Sequence, residues 1–306
     1  MAYHRDSEKS FHLAVAEYGN SRLPNGPIVT TADGKIQGSI LKSVYGPEYL
    51  AFTRIPYGKP PIGPLRFQAP QPAAKWEGVL DGSKQGFFPL HCVPDSDCPE
   101  VGGSEDCLTV NVYTKSIDSC RKKPVIFFVP GAGFLYASNH EGSCRYDYLI
   151  TQNIVLVSVN YRQGPLGFLN LGHELASGNQ GIRDVILALK WTRRNIEAFG
   201  GDPENITIMG SSAGSYTCHL LTLIPSTKGI AHADDMSYVL YFTYMRIKMG
   251  EEVYPQERTL DRIVSEKLVR MFYNFAAFGN PTPQTDDTYL TTSRAFYDKI
   301  KEVYRV

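Results

Sequence analysis

Three apolar, largely β-branched runs mark the middle of the chain: Val125–Val129, Ile154–Val159 and Ile206–Met209. A strand with one face in water alternates apolar and polar residues. A run that does not alternate belongs to a strand covered on both faces, the habit of parallel sheets. Two of the runs stop at turn signals, Val129 at Pro130-Gly131 and Met209 at Gly210. Leu108–Tyr113 alternates and predicts a further strand. Between the second and third runs, Ile182, Val185, Ile186, Leu189 and Ile196 recur near helical spacing and predict a helix over 182–198. Strand, helix and strand make a βαβ unit, whose crossover is right-handed. The fold class expected is α/β, with a central, mostly parallel sheet.

The flanks read differently. Residues 1–27 predict an irregular arm, and 28–90, rich in Pro and Gly, predict short antiparallel strands such as the one around Gly34–Gly38. Ser237–Met245 is apolar and fits either helix or strand. Leu260, Ile263, Val264, Leu268, Met271, Phe272 and Phe275 repeat at three and four residues, an amphipathic helix that Gly279-Asn280-Pro281 would stop. The organisation expected is one domain over 28–306.

Composition narrows the function classes. Lys+Arg and Asp+Glu are both 31, so the net charge is zero, with no electrostatic footprint for nucleic acid. No apolar stretch approaches the roughly 20 residues a spanning helix needs. The first twenty residues are polar and charged, without the apolar core of a secretory signal, which predicts a cytosolic chain. Six cysteines include no CxxC pair and no metal-ligand spacing.

The candidate chemistry is at Gly210-Ser211-Ser212-Ala213-Gly214, which fits G-x-S-x-G. A buried run leads into it and a helix-compatible run, 215–223, leaves it. A sharp strand-to-helix turn strains its middle residue and pushes the Ser212 hydroxyl out at the carboxyl end of a sheet. Acyl transfer also needs donors for an oxyanion. Gly131-Ala132-Gly133, after the Val125–Val129 run, would supply backbone N–H groups, joined by that of Ala213.

From these residues outward, the sequence resembles the type B carboxylesterase and cholinesterase family of α/β-hydrolases. The resemblance is carried by Phe199-Gly200-Gly201-Asp202-Pro203 through Gly214, by Glu105–Tyr113, by Arg54–Tyr57 with Pro64–Phe67, and by Asn160-Tyr161-Arg162 with Gly164–Phe168. It runs through residues 28–229 and resumes at Ala231-His232-Ala233-Asp234-Asp235. It implies an α/β-hydrolase fold and hydrolysis of small apolar carboxylic esters without metal or cofactor. Ser212 would be the nucleophile and His232 the general base. The oxyanion hole would comprise Gly131, Ala132, Gly133 and Ala213, and Cys92 would form a disulfide with Cys107. It also implies a secretory history, against the polar N-terminus.

The pattern departs from the family in three places. Pro130 and Ala132 stand where the family carries other residues, and Pro130 has no N–H, although Ala132 and Gly133 keep theirs. No Trp lies between Cys92 and Cys107, which argues against choline esters. Only 20 residues separate Ser212 from His232, an interval that in the family holds further strands and the acidic triad member. That shortness predicts an internal deletion near 229–231 and a strand at 206–209 left as an open edge prone to association, and it leaves the acidic triad member unknown. The competing expectation is a catalytically impaired relative that binds apolar ligands or a protein.

Overall fold

The computed structural model describes residues 22–23, 26–43, 46–92, 101–118, 120–141, 143, 146–224, 231–235, 270, 273–274 and 276–278. Its centre is an eight-stranded mixed sheet: β1 (Arg22–Leu23), β2 (Ser39–Lys42), β3 (Glu48–Pro56), β4 (Thr109–Thr114), β5 (Lys123–Val129), β6 (Val155–Val159), β7 (Gly201–Gly210) and β8 (Ala231–Asp235). The spatial order is β1-β2-β3-β4-β6-β5-β7-β8. The pairs from β1 to β6 are antiparallel, and β6-β5, β5-β7 and β7-β8 are parallel. The α/β architecture is therefore present, with the parallel half confined to the end that carries the candidate site. Ile28–Thr30, Lys35–Gln37 and Val79–Asp81 form a separate small sheet, as the Gly- and Pro-rich flank suggests.

The unbroken apolar runs become strands covered on both faces. Along β5, Val125, Phe127 and Val129 enter one core, and Ile126 and Phe128 enter the other. That is the period-two alternation of a strand buried twice over. The first core is roofed by α1 (Gln180–Asn195) and α2 (Ala213–Leu223), through Val185, Ala188, Leu189 and Trp191 of the one and Cys218 and Leu221 of the other. The short helix Asp147–Ile150 covers the second core, joined by Ala276.

Helix α1 ends three residues earlier than the periodicity suggests. The segment Ile196–Phe199 tightens into a 3₁₀ turn, closed by Gly200 at φ +79°. A left-handed residue there is the usual helix stop and admits glycine at no steric cost. Arg193 and Arg194 in its last turn face the negative end of the helix dipole. Arg194 and Trp191 both donate to the Asp33 carboxylate, at 2.7 and 2.9 Å, and so tie α1 to the small N-terminal sheet.

Two expectations are corrected here. The strand through 206–209 is not an edge: β8 pairs along it in parallel, so β8 takes that position among the described residues. Cys107 is a free thiol, buried at 1% exposure in the first core, so the disulfide implied by the resemblance is not seen among the described residues; the Cys92 side chain lies outside them. Burial pushes the Cys107 thiol well up from its ordinary value, which keeps it protonated. Ser237–Met245, most of the amphipathic stretch 260–275 and most of the 1–27 arm lie outside the described residues. No described helix is long and apolar enough to cross a membrane.

Topology singles out one end of the sheet. From β5 the chain turns toward β6 with its helix on the second core, and from β7 toward β8 with α2 on the first. Outgoing connections therefore diverge between neighbours β5 and β7. In open α/β sheets this divergence opens a crevice at the carboxyl ends of the strands, where ligands bind.

Candidate active site

Both candidate motifs sit at that crevice. Residues 130–134 leave the end of β5, and 211–214 leave the end of β7. The ladder continues to the elbow, where the Ser211 N–H donates to the Val129 carbonyl at 3.3 Å.

Three glycines bring the two motifs into contact. A Cβ on Gly214 would collide with the Val129 carbonyl, and one on Gly210 would collide with the Gly214 backbone. A Cβ on Gly131 would strike the Ser211 carbonyl and stand 3.0 Å from the Ser212 Cβ. Only hydrogen side chains let the loop after β5, the end of β7 and the start of α2 approach this closely.

Ser212 occupies the turn at φ 51°, ψ −120°. A non-glycine residue there is strained, at a cost of about 1–3 kcal/mol that the surrounding packing must hold. Its side chain is exposed. Ala213 follows as the first residue of α2, so its N–H belongs to a helix N-terminus, where the dipole favours negative charge. The Gly214 N–H is turned back onto the Ser211 carbonyl at 2.8 Å.

The facing loop is a left-handed run, with Ala132, Gly133 and Phe134 at φ 67°, 63° and 64°. The Leu135 N–H closes it by donating to the Ala132 carbonyl at 3.0 Å. Among the described residues no hydrogen bond engages the backbone N–H of Ala132, Gly133 or Ala213. The non-glycine left-handed residues are a feature that sequence reasoning missed, since neither Ala nor Phe advertises that conformation.

His232 is placed elsewhere. Its backbone lies in β8 opposite Thr207. About 10 Å of strand separates Thr207 from Gly210, where β7 ends, and the elbow lies beyond it. The structure therefore brings Ser212, Gly131, Ala132, Gly133 and Ala213 together and leaves His232 part-way down the sheet. Asp234 and Asp235 pair opposite Met209 and Gly210 in the same ladder. His219 is exposed on α2, and His140 stacks on Phe88 with centroids 4.8 Å apart.

A small cavity opens beside the segment 160–166 and is lined by Arg66, Glu105, Cys107, Arg162 and Gln163 among others, but not by Ser212. Its walls are held by charge pairs. Arg162 and Asp184 are buried and meet through two contacts of 2.8 and 2.7 Å, and Arg66 meets Glu105 in the same forked way at 2.5 and 2.7 Å. The elbow itself is open, with exposed Leu135 and Tyr136 after the 131–134 loop and exposed Tyr216 one turn into α2. Among the described residues no group of three His, Cys, Asp or Glu side chains is arranged to hold a metal.

Residues 25–232 match the model of the carboxylesterase family. Juvenile hormone esterase of Tribolium castaneum is 37% identical over 207 residues, covering 68% of this chain and 35% of that protein. Para-nitrobenzyl esterase of Bacillus subtilis is 39% identical over 212 residues, covering 66% and 42%. Acetylcholinesterase of Gallus gallus is 40% identical over 221 residues, covering 68% and 29%. The chain thus spans between 29% and 42% of the length of these relatives.

Proposed function

This chain belongs to the carboxylesterase family, and from that membership we propose that it performs carboxylic ester chemistry through an acyl-enzyme on Ser212. The Ser212 oxygen attacks the ester carbonyl carbon, and the carbonyl oxygen becomes an oxyanion facing the N–H groups of Ala132, Gly133 and Ala213. The carbon–oxygen bond to the alcohol breaks and the alcohol leaves with a proton. Water then cleaves the acyl-serine. The observation that supports this reading is the close approach of Gly131 to Ser211 and Ser212, which brings the candidate donors and the candidate nucleophile to one crevice. Loss of one such donor in an ester-cleaving serine enzyme costs roughly 3 kcal/mol of barrier, so their arrangement matters as much as the hydroxyl.

The substrates we propose are small apolar esters, in keeping with the exposed Leu135, Tyr136 and Tyr216 around the elbow. A second reading is favoured by the register of β8. With the His232 backbone opposite Thr207, three residues short of the end of β7, the chain would act as an impaired relative that binds apolar ligands or a protein.

One experiment separates the two. The purified chain is exposed to a fluorophosphonate and the adduct is mapped, then hydrolysis of para-nitrophenyl butyrate is followed. Stoichiometric labelling at Ser212, lost in Ser212→Ala, with measurable ester turnover supports the hydrolase. A folded protein that neither labels nor turns over supports the binding reading.

A further inference from the structure

We propose that Tyr161 is a positioning residue that holds the oxyanion loop in its working shape. Its hydroxyl donates to the Pro130 carbonyl at 2.8 Å in a buried contact. This inference rests on the reading of Ser212 as nucleophile.

The loop needs an external hold. Ala132 and Phe134 both sit at left-handed φ, which L-residues disfavour, so residues 132–134 would relax if left to themselves. Pro130, at the entrance, has no N–H and can be anchored only through its carbonyl. The Tyr161 hydroxyl takes that carbonyl. Because the peptide unit is planar, fixing the Pro130 carbonyl also fixes the direction of the Gly131 N–H, immediately before the candidate donors. At the exit, the Gly164 N–H donates to the Phe134 carbonyl at 2.6 Å, and the Phe134 ring packs on Phe168 with centroids 5.0 Å apart.

Both holds come from one short segment, 161–164, which is itself locked. The Arg162 N–H and Nε donate to the Asp184 carboxylate at 3.0 and 2.8 Å, and Gln163 Nε2 donates to the Tyr161 carbonyl at 3.1 Å. Tyr161 is fully buried, and that burial raises its phenol far above the ordinary value, so it stays a donor at any working pH. The buried ion pair of α1 is thereby linked mechanically to the donors at the crevice.

The test compares the full chain with Tyr161→Phe and a control, Tyr146→Phe. Tyr146 is also buried and donates to Ser158 Oγ at 2.7 Å, but packs in the second core, away from the loop. The reagent is a fluorophosphonate. The Ser212 oxygen–phosphorus bond forms, the phosphorus–fluorine bond breaks, fluoride leaves and the hydroxyl proton passes to solvent. The phosphonyl oxygen then occupies the oxyanion position. The expected result is a fall of roughly tenfold to a hundredfold in the limiting labelling rate for Tyr161→Phe, with reagent affinity unchanged and Tyr146→Phe equal to the parent. Equal rates in parent and Tyr161→Phe overturn the proposal, and so does an equal loss in both variants, which would mark general loosening. A parent that does not label overturns instead the reading of Ser212. If Tyr161→Phe does not fold, the hydroxyl proton of Tyr161 in the parent decides, read by NMR: a slowly exchanging signal supports its bond to the Pro130 carbonyl, and exchange at the rate of a free phenol overturns it.

Discussion

His232 pairs with Thr207 in the parallel ladder of β7 and β8, below the turn that lifts Ser212 out of the sheet. The segment that resembles a catalytic one is used here as a strand. It satisfies the backbone of β7, whose residues 206–210 are buried, and α2 packs against both strands.

The first prediction follows directly. His232→Ala is expected to leave the rate of fluorophosphonate labelling at Ser212 within about twofold of the parent, because the His232 backbone is in register with Thr207, short of the end of β7. Labelling kinetics with adduct mapping check this, and a fall of a hundredfold would return His232 to the role of base.

Gly131→Ala is expected to cost about 2 kcal/mol or more in stability and to abolish labelling. The added methyl meets the Ser211 carbonyl, and neither β5 nor β7 has slack to yield. Denaturant unfolding and labelling of the same sample read both effects.

Cys107 is expected to resist alkylation by iodoacetamide at pH 8 in the native protein while exposed Cys120 reacts. Burial raises the Cys107 thiol, and the thiolate is the reactive form. On unfolding without reductant, Cys107 becomes alkylated, as a free thiol must. Peptide mapping before and after denaturant distinguishes this from a disulfide, which would stay unreactive in both.

The Arg66–Glu105 pair sets a pH dependence. The guanidinium hydrogen bonds hold the Glu105 carboxyl below its ordinary range. A carboxyl whose folded pKa lies below its unfolded one stabilises the fold above the unfolded value, and that stabilisation is lost as pH falls through the folded value. Arg66→Gln is therefore expected to lower Tm slightly at pH 7 and to match the parent once the pH is well below 4. The effect is small because Arg66 is half exposed. Thermal scans across pH check it.

What was legible in the sequence follows from what is locally encoded. The doubly buried strands show in Val125–Val129 and Ile206–Met209 because short β-branched apolar runs that stop at turn residues suit strands covered on both faces. The elbow shows because its steric demands can be met only by glycine at 210 and 214. β8 does not show: Ala-His-Ala-Asp-Asp has no β-branched or large apolar residue, its alternation of alanine with polar residues is too short to signal a strand, and it pairs along β7. The hold of Tyr161 on Pro130 joins residues 31 apart in the chain, and the twist of Ala132 and Phe134 goes with it, so neither leaves a local trace.

The interlock of Gly131, Gly210 and Gly214 has a consequence for reading such chains. These positions are demanded by the geometry of touching backbones, whether or not any ester is ever cleaved. A chain that had surrendered its hydroxyl to alanine would still carry all three. The glycines testify to architecture, and the hydroxyl of Ser212 is the part of the motif that testifies to chemistry.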